Sequence, residues 1–104
     1  MRVVFSPTLA YMHEDIELAI ESADGTIDCR LEPIEDEDTR KVHYSATILY
    51  PDMVSGFFRS EIYCHNLLRS GNGYRFDANE DIHPKIQKLE GKLAEAIKAA
   101  EKKR

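Results

Sequence analysis

The residue types best suited to chemistry in this chain are its cysteines and histidines. Cys64 and His65 are adjacent, and Cys29 and His43 lie earlier in the sequence. Thiolate and imidazole are common zinc ligands, and a Cys/His pair can also act as nucleophile and base. Neighbouring strand residues point to opposite faces, however, and no C-x-x-C or H-x-x-x-H spacing occurs. We therefore expect no metal, no cofactor and no catalytic residue, and two reduced, partly buried thiols.

Two polar segments have residue types that occur in ligand sites. Residues 70–73 read Ser-Gly-Asn-Gly, but no Lys-Ser/Thr follows, so a hairpin turn is favoured over a phosphate loop. Residues 33–41 contain the acidic run Glu35, Asp36, Glu37 and Asp38. This run lacks the alternating ligands and central glycine of an EF-hand loop. It is interpreted as a solvated connection, with a site for a basic partner as the alternative.

The elements that would position these residues are mostly strands. Residues 16–21 and 27–32 alternate apolar and charged side chains on either side of Asp24-Gly25, which is typical of a β-hairpin with one buried face. Residues 42–50 predict a further strand that ends in a turn at Pro51-Asp52. Residues 57–69 predict a long strand with two mixed faces, and 74–76 a short returning strand. Residues 2–5 and 8–12 allow a sixth strand.

The end of the chain is different, because its apolar residues follow helical spacing. Ile82, Ile86, Leu89, Leu93 and Ile97 fall on one stripe, which predicts an amphipathic helix over residues 81–104. Asn79 is the predicted N-cap, and Pro84 fits only the first turn. Gly91 is interpreted as permitting a close approach to the sheet or a slight bend.

Together these patterns predict a single α+β domain spanning residues 1–104. Residues 1–78 would form a five- to six-stranded antiparallel meander, strongly curled or barrel-like as an alternative, and residues 79–104 a single long helix covering one face. With 42% hydrophobic and 32% charged residues, the composition is that of a soluble globular protein. Because no signal-peptide pattern or membrane-length apolar run is present, a cytoplasmic location is expected.

Charge is distributed unevenly along the chain. Residues 1–79 carry a net charge of −7 and residues 80–104 a net charge of +2, which gives −5 overall. An acidic body is poorly suited to general nucleic-acid binding and well suited to a basic partner. The lysines of the terminal helix supply the alternative, a nucleic-acid- or ribosome-binding face formed by Lys85, Lys88 and Lys92.

Two segments are the predicted protein interface. An aromatic and basic group near the end of the third strand has the composition of an interface anchor, and the acidic run offers charge. The predicted interface residues are Tyr50, Met53, Phe57, Phe58, Arg59, Asp36, Glu37 and Asp38.

The sequence favours a non-catalytic acidic interaction protein that binds an unknown protein partner as a regulator or inhibitor. A phage or defence setting would suit such an inhibitor. The alternatives are the nucleic-acid-associated protein described above and an enzyme whose site is assembled from distant residues. The sequence is equally compatible with a monomer and with a homodimer; the dimer is considered because an antiparallel sheet with open edges often pairs with a copy of itself.

Overall fold

The computed structural model describes residues 14–54 and 57–102, and for residues 52–54 and 57–59 it describes the backbone alone. Five strands precede a short helix and a longer one. The elements are β1 (Ile16–Ser22), β2 (Gly25–Glu35), β3 (Val42–Val54), β4 (Phe57–Ser70), β5 (Gly73–Phe76), α1 (Pro84–Gln87) and α2 (Glu90–Lys102).

The predicted hairpin around Asp24-Gly25 is confirmed, with Ser22 opposite Gly25 in the antiparallel register of β1 and β2. The Ser22 hydroxyl accepts from the Asp24 N–H and donates to the Gly25 carbonyl. Gly25 adopts φ +126°, and a Cβ there would lie 3.4 Å from the Pro51 ring. Both the positive φ and the close approach to Pro51 therefore favour glycine at this position.

Strand β3 is longer than predicted, because Pro51 does not begin a turn. β3 continues to Val54 and pairs with β4 as far as Val54 opposite Phe57. Its pairing with β2, by contrast, ends at Leu49 opposite Asp28. Among the described strands, β3 is therefore paired at Pro51 with β4 alone, and a missing N–H is tolerated at such a position.

The strands form one sheet in the order β1-β2-β3-β4-β5, every neighbouring pair antiparallel, curled into a half-barrel. The inner face carries the core, as the alternation in β2 and β3 predicts. Its fully or nearly fully buried strand residues are Ile20, Ile27, Cys29, Leu31, Tyr44, Ala46, Ile48, Tyr50, Leu67, Tyr74 and Phe76.

The C-terminal segment is one bent helix over residues 84–102 and not a straight helix from Asp81. Asn79 is not the N-cap. Its N–H and that of Glu80 are bonded to Asp77, in a turn that precedes the helix. The cap is His83, whose Nδ1 accepts from the Lys85 N–H, and Pro84 occupies the first turn. The bend falls at residues 88–89, between α1 and α2.

The predicted apolar stripe is buried. Ile86, Leu89, Leu93 and Ile97 are each at most 7% exposed and belong to the same core cluster as the strand residues, with Ile82 packed against it. Helix α2 contacts both edge strands, β5 and β1. The helix therefore lies across the opening of the curled sheet.

Three glutamates also tie the C-terminal part of the chain to β4 and β5. Glu90 accepts from the Phe76 N–H at 2.8 Å, and Glu80 accepts from the Asn66 N–H at 3.0 Å. Glu101 accepts from the Tyr74 hydroxyl at 3.0 Å. Backbone donors at this side of the sheet thus gain charged acceptors, which form stronger hydrogen bonds than neutral ones.

The α+β class and the five-stranded antiparallel meander are confirmed. The sixth strand, predicted from residues 2–5 and 8–12, lies outside the described residues. That the helix covers an entire face of the sheet stays a prediction. The interpretation of Gly91 as a point of close approach is wrong, because a Cβ at Gly91 would have no atom within 4 Å.

Replacing Gly91 with alanine is expected to stabilise the protein. Gly91 lies in the first turn of α2, is exposed, and has room for a methyl group. Alanine lowers the conformational entropy of the unfolded chain, so the free energy of unfolding should rise by roughly 0.5–1 kcal/mol. Urea unfolding followed by circular dichroism measures the change.

The matched control is Gly71→Ala in the β4–β5 turn. A methyl group there also meets nothing within 4 Å, but Gly71 has φ +59°. Since the left-handed conformation disfavours alanine, this variant should lose stability while Gly91→Ala gains it. A Gly91→Ala protein that is less stable than the wild type would contradict the prediction.

Candidate protein-binding surface

The outer face of the sheet, opposite the core, carries a largely apolar row that crosses four strands, with Asp28 as its charged member. Register places Ala19 of β1, Asp28 of β2, Leu49 of β3 and Ile62 of β4 side by side. Ile62 is 67% exposed, the highest value among the large apolar side chains described. An isoleucine this exposed, with apolar neighbours in the same row, has the composition of an interaction site.

An open depression of about 590 Å³ lies beside this row, over β1, β2 and β3. Residues of the apolar row form one side, and the next row of the register, Glu17, Arg30 and Thr47, forms the other. The surface is therefore concave enough to receive side chains of another molecule. We call the two rows together the outer-face patch: Ala19, Asp28, Leu49, Ile62, Glu17, Arg30, Thr47 and Cys64.

The outer-face patch is predominantly acidic on its β1–β2 side. Glu17 and Asp28 are exposed there, and Glu32 follows along β2. Arg30 is the basic group among them, and its guanidinium donates to Asp15 at 2.6 Å. This hydrogen bond to Asp15, followed by the charges of Asp15, Glu17 and Glu32, raises the pKa of Arg30. The arginine is thus already paired within the chain, and the carboxylates around it outnumber it.

The two thiols differ, so the prediction that both are partly buried is wrong for Cys64. Cys64 is exposed in the outer-face patch, whereas Cys29 is 4% exposed in the core. Burial, and then the nearby Asp28 carboxylate, raises the pKa of Cys29 to about 11. Both cysteines are free. Cys29 is held as an unreactive neutral thiol, and Cys64 is accessible.

His65 points away from Cys64, toward the inner side of the sheet, as the alternation of strand residues predicts. Its Nδ1 donates to Glu80 at 2.9 Å, and its ring meets Phe76 edge to face. The Glu80 carboxylate also accepts from the Asn66 N–H, so the histidine is part of the connection between β4 and the segment before α1. Across residues 14–54 and 57–102, no group of three or more His, Cys, Asp and Glu side chains is arranged to hold a metal ion.

The aromatic part of the predicted interface lies on the β3–β4 hairpin. Tyr50 is 7% exposed, and its hydroxyl donates to Asp24 at 2.8 Å. Met53 pairs with Phe58, and Arg59 with Asp52, along the backbone ladder. The side chains of Met53, Phe57, Phe58 and Arg59 lie outside the described residues, and their interface role stays a prediction.

The acidic part of the predicted interface is a structured turn at the other end of β3. Asp36 accepts from the N–H groups of Thr39 and Asp38, and these bonds, that of Thr39 first, lower the pKa of Asp36. Glu37 and Asp38 are exposed. Since β3 has 13 residues, about 40 Å separates this turn from the far end of β3. The fold therefore does not bring the two halves of the predicted interface together.

The lysines of the alternative nucleic-acid face are also divided. Lys88 and Lys92 are exposed, whereas the Lys85 ammonium lies over the rings of Tyr50 and Tyr63. The three lysines thus do not form one exposed row.

Sequence reasoning did not single out Ile62, Leu49 or Asp28. The alternation in β1 and β2 already placed Asp28 and Glu17 on the outer face. Ile62 was obscured because residues 57–69 have mixed faces, so only the register with β3 shows where Ile62 points.

Comparisons with known proteins return no match to a protein-family model, a curated protein or a solved structure. Among the residues with described structure, no helix is long and apolar enough to span a membrane.

The difference between the thiols predicts selective labelling. At neutral pH, Cys64 should react with a thiol reagent such as DTNB in the folded protein, while Cys29 should react only after unfolding. Titration should thus count one reactive thiol in buffer and two in guanidinium chloride. Cys64→Ser should abolish the fast reaction; a Cys64→Ser protein that still reacts rapidly would contradict the assignment.

The same burial predicts a loss of stability at alkaline pH. The pKa of Cys29 is about 11 in the folded protein, against an ordinary value of 9.0. Burial likewise raises the pKa of Tyr74 from 10.0 to about 12. Because both groups ionise more readily when unfolded, their contribution is complete below about pH 9 and falls as pH rises toward 11 and 12.

Melting temperatures measured by circular dichroism between pH 8 and pH 11 test this prediction. The wild type should lose stability steadily above pH 9, and Cys29→Ala should lose less over the same interval. An identical slope in the two proteins would exclude Cys29 as a contributor.

Proposed function

We propose that this protein is a non-catalytic binding protein whose outer-face patch docks a partner protein and thereby regulates or inhibits it. The observation that carries the proposal is the exposed Ile62 in a cross-strand row with Leu49, beside a depression edged by carboxylates. Apolar centres with polar surroundings are the usual anatomy of protein interfaces.

The partner expected at this patch presents an apolar side chain next to basic ones. Ile62 and Leu49 offer apolar contact on the β3–β4 side, and Glu17 and Asp28 offer negative charge on the β1–β2 side. Opposite charges across an interface accelerate association and exclude partners of the wrong sign. Arg30 does not cancel this field, because it is bonded to Asp15.

Charge also favours a different protein over a second copy of this chain. In a symmetric dimer formed by two outer faces, each subunit would present the same Glu17, Asp28 and Glu32 side chains. Like charges brought together in this way oppose association. A second copy of this chain is thus less suited to this surface than a basic partner protein is.

Cys64 allows a site-directed test of the proposal. A benzophenone maleimide attached to Cys64 should crosslink the partner in a lysate from the source cells upon irradiation. The captured protein, once purified, should bind the unlabelled chain, and its affinity should fall as salt rises from about 0.05 to 0.5 M.

Two substitutions should weaken this binding for separate reasons. Ile62→Asp removes the apolar contact and should cost about tenfold or more in affinity. Asp28→Lys reverses a charge and should mainly slow association. Their matched controls are Leu68→Asp, an exposed apolar position toward the other end of β4, and Glu95→Lys, an exposed position on α2.

The proposal requires that both patch variants lose affinity while both controls retain it. Binding that survives Ile62→Asp and Asp28→Lys would refute the assignment of this surface. A captured protein whose own activity is unchanged by saturating amounts of this chain would refute the regulatory role.

A further inference from the structure

A second cluster, on the inner side of the sheet, holds a positive charge between aromatic rings. The Lys85 ammonium lies 4.5 Å from the centre of the Tyr50 ring and 5.2 Å from that of Tyr63. The Glu61 carboxylate lies 3.8 Å from the same nitrogen. Two ring faces and a carboxylate around one ammonium group form an aromatic cage.

The cage is held in place by hydrogen bonds that do not involve the lysine. The Tyr50 hydroxyl donates to Asp24 in the β1–β2 turn at 2.8 Å. The Tyr63 hydroxyl donates to Glu61 at 2.7 Å. Rings fixed by such bonds keep their faces in position when the cation leaves, which lowers the cost of binding another cation.

The cage and the cation that fills it belong to different parts of the chain. Tyr50, Glu61 and Tyr63 are residues of the long β3–β4 hairpin, whereas Lys85 belongs to the four-residue helix α1. The Lys85 side chain is 28% exposed, so the site is open to solvent. A lysine side chain is a flexible four-carbon stem, and it can leave the cage by rotation while Ile86 remains buried.

We infer that this cage is a binding site for an alkylammonium group of another molecule, and that Lys85 is its internal competitor. Aromatic cages bind quaternary and methylated ammonium groups because the ring faces attract the cation and accommodate its methyl groups. Glu61 adds a negative charge, and Asp24 lies beyond the Tyr50 hydroxyl. The tethered Lys85 is an intramolecular competitor, so an external cation binds only when it outcompetes the lysine. This site is independent of the outer-face patch, which lies on the other side of the sheet.

The test is ligand-observed NMR with two cationic probes. Tetramethylammonium chloride represents a free quaternary amine, and an acetylated, amidated trimethyl-lysine represents the side chain of a modified protein. In the Lys85→Ala variant the cage is vacated, and the probe's methyl signals should shift upfield over the ring faces with a Kd on the order of millimolar. The wild type should bind the same probe at least about tenfold more weakly, because Lys85 occupies the cage.

Matched variants separate the cage from general electrostatic attraction. Lys88→Ala removes one positive charge from the end of α1 and leaves Lys85 in the cage, so it should bind like the wild type. Adding Tyr63→Leu to Lys85→Ala should abolish the upfield shift. If circular dichroism shows that Lys85→Ala does not fold, Lys85→Gln, which keeps most of the side-chain stem, replaces it in the same experiment.

Each result of these experiments either supports or contradicts the proposed alkylammonium site. Binding of both probes supports a general alkylammonium site; binding of one alone identifies the free amine or the modified side chain as the source. Absence of a shift with both probes in a folded Lys85 variant overturns the inference. The inference is also overturned if the upfield shift persists after Tyr63→Leu is added, or if Lys88→Ala gives the same shift as Lys85→Ala.

Discussion

The contact between the helix stripe and the inner face of the sheet is the interaction on which the rest of the structure depends. A sheet with one apolar face must bury it, and an isolated helix of this length is marginal in water. Ile86, Leu89, Leu93 and Ile97 meet that face, and each buried side chain contributes about 1.5–3 kcal/mol before entropy is counted. Because α2 contacts both β1 and β5, the same contact joins the two edges of the curl.

Local pattern was sufficient to predict the elements in which periodicity and turn chemistry agree. The β1–β2 hairpin and the helix stripe follow directly from spacing, and both are confirmed. The helix start was predicted wrongly because Asn79 and Glu80 are engaged by Asp77, which leaves His83 as the cap. Pro51 was predicted to begin a turn, but β3 continues through it. The proline is tolerated there because the pairing of β3 with β2 ends at Leu49, and the neighbouring sequence alone does not show where that pairing ends.

The candidate site was predictable only in part, for the same physical reason. The acidic outer side chains of β1 and β2 follow from alternation, but Ile62 required the β3–β4 register. Lys85 was grouped with Lys88 and Lys92 by helical spacing. Its place between Tyr50 and Tyr63 depends on the bend that separates α1 from α2 and on two strands distant in sequence. Contacts that join three elements have no signature in the spacing of any one of them.

The hydrogen bond from the Phe76 N–H to Glu90 has a consequence for how copies of this chain can assemble. A backbone donor on β5, an edge strand of only four residues, is already occupied by a carboxylate from α2. Growth of a fibril by strand addition needs an available edge on each side of every subunit. An incoming strand would have to displace Glu90 to bond the Phe76 N–H, so strand addition at this part of β5 is opposed. The glutamate that anchors the helix thus also protects the end of β5 against pairing with another copy of the chain.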